Sequence, residues 1–361
     1  MKVKIIGAGS IGNHLAQASR RAGWRVVVID KDKKALERMK EEIYLTRYGA
    51  WDGSIELYQN ENEPKGGFDV VFVGTPPDWH LPIATRILKE EAPQVLQIEK
   101  PLCSPTLEGL REFLKEAERH PKTQIVVGYD HVLGANTKVV EEYMKLGGSR
   151  ESELGRLLTL DVDIRFDWKP ILKAHPWLAG PHETYLGDWR RGGGAGGEHS
   201  HGINLWQHFA YIAGAGKIRE VSAMFDYAQS GPGIEYDRLC FMNLKTEGGL
   251  IGRVAQDVVT FPEDKKAVLQ YERGRIEWYL GFEKDLDRVV RRDGDGSIRE
   301  DVRIPKKRPD DFFLEIEHIR KLIDGSVLYR DSPINLLRGL DTMYVLEAAH
   351  KSHRTGRPQI A

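Results

Sequence analysis

Cysteine is scarce in this chain: Cys103 and Cys240 are its only two in 361 residues. Two isolated thiols make neither a disulfide framework nor a metal-type spacing, and they fit a reducing compartment. No apolar run reaches membrane-spanning length, which speaks against a membrane partner. The N-terminus runs straight into a strand and leaves no room for a signal peptide, so the expected location is the cytoplasm. Neither sign of charge is in excess. Lys and Arg number 53 against 54 Asp and Glu, so no global field favours nucleic acid or an anionic surface. Internal repeats and low-complexity segments are lacking too. The composition, 40% hydrophobic and 30% charged, is that of a globular protein of about two domains. Glycine is not scarce, and several of its 37 copies cluster at 192–197.

The first thirty residues organise the chain. Lys2–Ile6 (KVKII) is a short β-branched apolar run, followed by Gly7-Ala8-Gly9-Ser10-Ile11-Gly12, a helical pattern, a second apolar run at 25–29, and Asp30. Strand, glycine turn, helix, strand and acid stand in the order a dinucleotide site requires. Gly7 allows the tight turn, Gly9 lets a pyrophosphate approach the backbone, and Gly12 lets the helix sit close on the strand. The helix start at Ser10 and Ile11 offers unpaired N–H groups to phosphate. Asp30 is placed to accept from the adenosine ribose 2′-OH and to repel a 2′-phosphate, favouring NAD over NADP. It also fits a helix N-cap, and the two roles are compatible.

Strand and helix then alternate to about residue 130. Lys31–Glu42 reads as helix, 43–67 as mostly loop with a short strand at Ile55–Tyr58, and 68–74 as a buried strand. His80–Lys89 reads as helix, Val95–Ile98 as strand, Ser104 and Pro105 as the start of another helix, and Gln124–Gly128 as strand. This predicts a doubly wound parallel sheet in a domain spanning 1–130. Beyond it the period changes. Leu158, Leu160, Val162, Ile164, Phe166 and Trp168 alternate with Thr159, Asp161, Asp163, Arg165, Asp167 and Lys169, a strand with one dry and one wet face. Five further strands follow, around Val221–Ala228, Arg238–Leu244, Leu250–Val259, Ala267–Glu272 and Arg275–Leu280, with turn-like connections, and two helices, about Asp311–Ile323 and Pro333–Ser352, end the chain. Residues 131–361 thus form a second, α+β domain with an antiparallel or mixed sheet.

Ligands of open α/β sheets bind at the carboxyl ends of the strands. Besides the glycine turn, Asp30 and Lys31, the ends at Thr75-Pro76-Pro77, His80 and Glu99-Lys100-Pro101 carry polar or special residues. Lys100 can hydrogen-bond or protonate a carbinol or carbonyl oxygen, and Glu99 can position or tune it. A Lys before Pro is otherwise an ordinary surface residue. A second constellation follows the glycine cluster. With a helix starting near Glu198, Glu198, His201, Asn204 and His208 share one broad face. A histidine there, working with Lys100, suits proton transfer from a hydroxyl. A metal held by Glu198, His201 and His208, or a purely structural polar helix, are the alternatives; the preferred assignment has no metal.

These motifs together, namely GAGSIG, Asp30, TPP with His80, EKP at 99–101, and GGG followed by E-x-x-H-x-x-N at 198–204, resemble the Gfo/Idh/MocA oxidoreductases, the glucose–fructose oxidoreductase and inositol dehydrogenase family. The stretch 345–358 is similar to that family's usual ending. The resemblance implies a Rossmann domain followed by a domain with a large open, mostly antiparallel sheet, and assembly as a homodimer or homotetramer. It implies NAD(P)-linked hydride transfer on a sugar, cyclitol, polyol or sugar derivative, nucleotide sugars included. It assigns catalysis to Lys100 and His201, with Glu198 and Asn204 beside the histidine. Asn204 stands where an aspartate is common, and Glu198 precedes His201 by three residues, not the usual four. Tyr129 and His131, within Gly128-Tyr129-Asp130-His131, and Trp189 and Arg190 before the glycines, are expected to line the substrate pocket, with Pro170–Tyr185 shaping specificity. An NAD-retaining lyase or glycosidase, and a non-catalytic NAD-binding regulator, are the rival readings on the same fold.

Overall fold

The apolar runs of the first 130 residues become six strands: β1 (Lys2–Ile6), β2 (Arg25–Asp30), β3 (Ile55–Gln59), β4 (Val70–Val73), β5 (Val95–Glu99) and β6 (Gln124–Gly128). They pair in the order β3-β2-β1-β4-β5-β6, and every pairing is parallel. A parallel sheet is covered on both faces, which is why its strands read as unbroken apolar runs. Lys4 is the exception inside β1. It is fully buried and paired with Glu91 at 2.6 Å. The strand order reverses between β1 and β4, so the crevice for a ligand lies at the carboxyl ends of those strands.

The chain, a computed structural model that describes residues 1–147, 153–168, 172–173 and 178–361, divides into two units. The first holds Met1–Cys103, Glu108–Asp130 and Pro309–Leu336; the second holds Ser104–Leu107, His131–Arg308 and Leu337–Ala361. The sequence reading placed all of 131–361 in one domain, whereas Pro309–Leu336 packs with the Rossmann sheet. Its helix Asp310–Ile323 lies along helix Ser10–Arg21, with His14 stacked on Phe312 at 4.6 Å. Val127 N–H donates to the Ile334 carbonyl at 2.8 Å and Tyr329 Oη donates to the Ile125 carbonyl at 2.7 Å. Strand β6 is an edge, and this segment satisfies the backbone groups an edge leaves open.

Two local expectations shift. Helix runs on from Lys33 to Tyr48 through a π-helical turn at Met39–Ile43, where the sequence suggested a stop at Glu42. The helix expected from Ser104 starts at Leu110, because Leu107 and Gly109 both take positive φ and break the first turns.

The second unit carries a nine-stranded mixed sheet built from β7 (Leu157–Arg165), β8 (Ile218–Gly231), β9 (Ile234–Thr246), β10 (Ile251–Asp257), β11 (Asp264–Tyr271), β12 (Gly274–Glu283), β13 (Leu286–Asp293), β14 (Ile298–Pro305) and β15 (Gln359–Ile360). Their order is β14-β13-β12-β11-β7-β10-β9-β8-β15, antiparallel throughout except for β7 with β10. Leu160, Val162 and Ile164 of β7 are buried as expected, and helix His201–Ile212 packs on β7 and β10. Leu158, assigned to the dry face, is exposed, and the strand ends at Arg165, before Phe166 and Trp168; Lys169 lies outside the described residues. Among the described residues no helix is long and apolar enough to cross a membrane.

Candidate active site

The glycine turn is built as its sequence requires. Gly7 has φ +115°, and a Cβ on Gly12 would stand 2.0 Å from the Gly7 carbonyl, so helix Ser10–Arg21 rests directly on the turn. At Gly9, the helix N-cap, a Cβ would meet no protein atom within 4 Å, and no side chain caps the helix. The backbone there is open to a pyrophosphate, with the half-buried Ser10 and Ile11 beginning the helix. Arg47, which sequence reasoning missed, donates to Ser10 O at 2.9 Å and Ser10 Oγ at 2.8 Å, bringing a cation to this turn.

Asp30 closes β2 and ties the turn down. Its carboxylate accepts from Ala8 N–H at 2.8 Å and Asp32 N–H at 2.9 Å. The N-cap of the next helix is Asp32, which accepts from Lys34 N–H, so the capping role considered for Asp30 belongs to its neighbour. Each Asp30 oxygen keeps lone-pair capacity for a ribose hydroxyl. Lys31 Nζ stands 5.4 Å from the centre of the exposed Trp79 ring, a second residue the sequence did not single out.

Beyond β4, half-buried Thr75 and exposed Pro76 lead into the turn that ends at His80. His80 was expected among the cofactor contacts. It is fully buried instead, its Nε2 2.7 Å from the Thr75 carbonyl and its Nδ1 2.9 Å from the Pro101 carbonyl. Burial pulls its pKa down to about 4 against these carbonyls, so a neutral ring bonds through one N–H at a time. His80 is a brace between the loops after β4 and β5. Lys100 follows β5 directly, is half-buried, and precedes Pro101 through a cis bond. Glu99 points inward. Burial pushes its carboxyl up to about 7 against the opposing charge of Lys100, and it accepts from Gln97 Nε2 at 3.3 Å and from the Lys100 backbone N–H.

In the second unit the glycine cluster is folded around a residue that sequence reasoning missed, Asp237 of β9. Its buried carboxylate accepts from Gly196 N–H at 2.6 Å, and burial raises its pKa from 3.8 to about 8. Gly194 has φ +75°, and a Cβ there would fall 1.9 Å from Asp237 Oδ1. These constraints close a short helix, Gly194–Glu198, and a new one starts at His201. Glu198 and His201 therefore do not share the single helix face expected of them. Glu198 accepts from Tyr185 Oη at 3.3 Å. His208 is buried against Glu141 at 2.8 Å, and Asn204 Nδ2 donates to Thr342 Oγ1 at 3.2 Å. The face proposed as a metal set or a relay is thus divided among separate partners. What the fold does join is His201 and His131, whose rings stack with centroids 4.0 Å apart.

Of the other expected pocket residues, Tyr129 is fully buried and leaves no face for a substrate. Trp189 is buried on His350 at 4.4 Å and its Nε1 donates to Glu235 at 3.3 Å. Arg190 lies over the Trp189 ring and pairs with the same Glu235 at 3.2 Å. Trp189 is thus part of a packed cluster, while Arg190 is exposed at its edge. Within the insertion at 170–185, residues 170, 171 and 174–177 lie outside the described residues.

A parallel sheet of order 3-2-1-4-5-6 with an open glycine turn, an acid after β2 and a lysine after β5 defines a dinucleotide-binding Rossmann domain, here followed by a large mixed-sheet unit. Residues 1–129 match the Gfo/Idh/MocA family model, described as oxidoreductase family, NAD-binding Rossmann fold. Levoglucosan dehydrogenase in complex with NADH is 16% identical with TM-score 0.75, covering 100% of this chain and 98% of that one. Aldose–aldose oxidoreductase from Caulobacter crescentus, complexed with glycerol, is 19% identical with TM-score 0.73 (100% and 99% covered). The WlbA dehydrogenase from Bordetella pertussis, in complex with NADH and UDP-GlcNAcA, is 17% identical with TM-score 0.70 (100% and 98% covered). These likenesses establish the α/β fold along the whole chain. No curated protein matches it by sequence.

Proposed function

We propose that the protein is an NAD-dependent dehydrogenase acting on a hydroxyl or keto carbon of a sugar, cyclitol or sugar derivative, and that it works as a homodimer or homotetramer. The observation that carries this reading is the place of Lys100. It follows β5, separated from the glycine turn after β1 only by β4, on the one edge where all six carboxyl ends of the sheet lie. The glycine turn and Asp30 fit NAD, which when bound takes the hydride from a carbinol carbon. Structural neighbours named for levoglucosan, aldoses and a uridine-diphosphate sugar acid support a sugar-like substrate.

The chain's own residues must then handle the proton and the charge on oxygen. As the C–H bond gives up its hydride, the hydroxyl gives up its proton, leaving a carbonyl. Lys100, as an ammonium, stabilises negative charge developing on that oxygen. Histidine is the side-chain type suited to accept a proton near neutral pH, which favours His201 as the base, its ring held flat by His131.

The test is NADH formation with a panel of sugars, cyclitols and nucleotide sugars. Lys100→Ala is expected to lower kcat by about 10² or more, with His201→Ala similar, while NAD still binds. Turnover without net NADH favours the redox-neutral lyase or glycosidase reading. Near-full turnover in Lys100→Ala overturns the assignment.

A further inference from the structure

Glu315 is an ionisable residue on the buried stripe of helix Asp310–Ile323, between the buried Phe312 and Ile319, and it is only 1% exposed. It reaches β5, the strand that Lys100 follows. Gln97 Nε2, itself buried in β5, lies 3.3 Å from Glu315 Oε2 and 3.3 Å from Glu99 Oε1. One amide thus offers a hydrogen to each of two buried carboxyls. The room for Glu99 comes from Gly128 of β6, where a Cβ would stand 2.7 Å from Glu99 Oε1. Glu99 in turn accepts from the backbone N–H of Lys100.

Resting on the dehydrogenase reading, we propose that Glu315 is a positioning residue for Lys100, acting through the buried hydrogen-bonded chain Glu315–Gln97–Glu99. Three acids face Glu315 and disfavour its ionisation: Glu99, Asp130, and Asp311 of its own helix. Glu99 faces the opposing charge of Lys100, with Asp130 adding to the acidity. Two carboxylates linked by one amide, away from water, do not both ionise near neutral pH. Burial and these neighbours push Glu315 well above the ordinary range, so it is the member that keeps a proton. A neutral Glu315 leaves Glu99 free to hold the Lys100 backbone and to balance its ammonium. An ionised Glu315 would set a second negative charge beside Glu99 and weaken that balance.

Three proteins decide this: wild type, Glu315→Gln as a mimic of the protonated acid, and Glu315→Leu. Each is assayed for kcat, KM and thermal unfolding across about pH 5 to 8. Folded Glu315 holds a proton that the unfolded carboxyl releases. Wild-type stability should therefore fall, relative to Glu315→Gln, as pH rises through this window. Glu315→Leu is expected to lower kcat about tenfold with KM within about twofold, and Glu315→Gln to restore most of the loss. An unfolding difference that does not change with pH, or a wild-type kcat in Glu315→Leu, overturns the proposal. If the wild type itself forms no NADH with any substrate, the dehydrogenase reading fails instead, and the unfolding difference still judges whether Glu315 holds the proton.

Discussion

At the scale of single residues, Asp30 is the side chain expected to set the choice of cofactor. Its two backbone hydrogen bonds, to Ala8 and Asp32, fix the carboxylate at the end of β2. A 2′-phosphate brought there would meet a held negative charge. Lys31 offsets little of this, because its ammonium is drawn to the face of Trp79. A penalty of about 1–2 kcal/mol gives about five- to thirty-fold tighter binding of NAD than NADP. Titration of both cofactors by fluorescence measures it; tighter NADP binding would sink the idea, and Asp30→Ala should narrow the gap. The residues legible in the sequence are those whose chemistry is local. Gly7, Gly9, Gly12, Asp30 and Lys100 lie beside the strands they end, so order along the chain locates them. Glu315, Asp237 and the partner of His201 act across long stretches of chain. Each had a signal only in hindsight: Glu315 is an acid set among the buried Phe312, Ile316 and Ile319 of its helix.

At the scale of elements, the glycine-rich loop is shaped by one carboxyl. Asp237 holds a proton in the folded chain up to about pH 8, whereas the unfolded side chain releases it near the ordinary 3.8. The folded state therefore binds the extra proton between those values, and this residue's contribution to stability is lost as pH rises across them. Asp237→Asn keeps an oxygen for Gly196 N–H and cannot ionise. It should flatten the decline in Tm between about pH 5 and 8 relative to wild type. Asp237→Ala leaves that buried N–H without its acceptor and should cost about 1–3 kcal/mol across the range. Parallel Tm curves for wild type and Asp237→Asn would contradict this account. The sequence showed the glycines without the residue they surround, so a single helix carrying Glu198 and His201 was the natural reading. Strands β13 and β14 escaped notice for a related reason. Their charged residues pair across the ladder, as Arg288 does with Asp301 at 2.7 Å, and a run dense in charge does not look like a strand until its partner is known.

At the scale of the whole molecule, the open face of the nine-stranded sheet argues for assembly. Met224, Phe241 and Ala255 lie in register across β8, β9 and β10, with Ile251 further along β10; Met224 is 77% exposed and Ile251 is 55% exposed. Beside them runs a set of ion pairs: Asp161 with Arg253 at 3.1 Å, Asp163 with Lys266 at 3.8 Å, and Arg165 with Asp257 at 2.6 Å. Burying charges is costly when it strands one of them. Here each is matched within its own sheet, so a second copy could cover the face without leaving a lone charge. The apolar residues supply the driving force, at roughly 25 cal/mol per Å² removed from water. A stable interface needs about 800 Å² from each partner, an area a sheet of this width can present. Static light scattering at micromolar concentration should therefore give a multiple of 41.0 kDa. Met224→Asp, which adds an unmatched charge at the most exposed position of the apolar row, should shift the population towards monomer while leaving NAD binding unchanged. A wild-type solution holding only the 41.0 kDa species would show that this face stays in water, its ion pairs then serving to keep the sheet soluble.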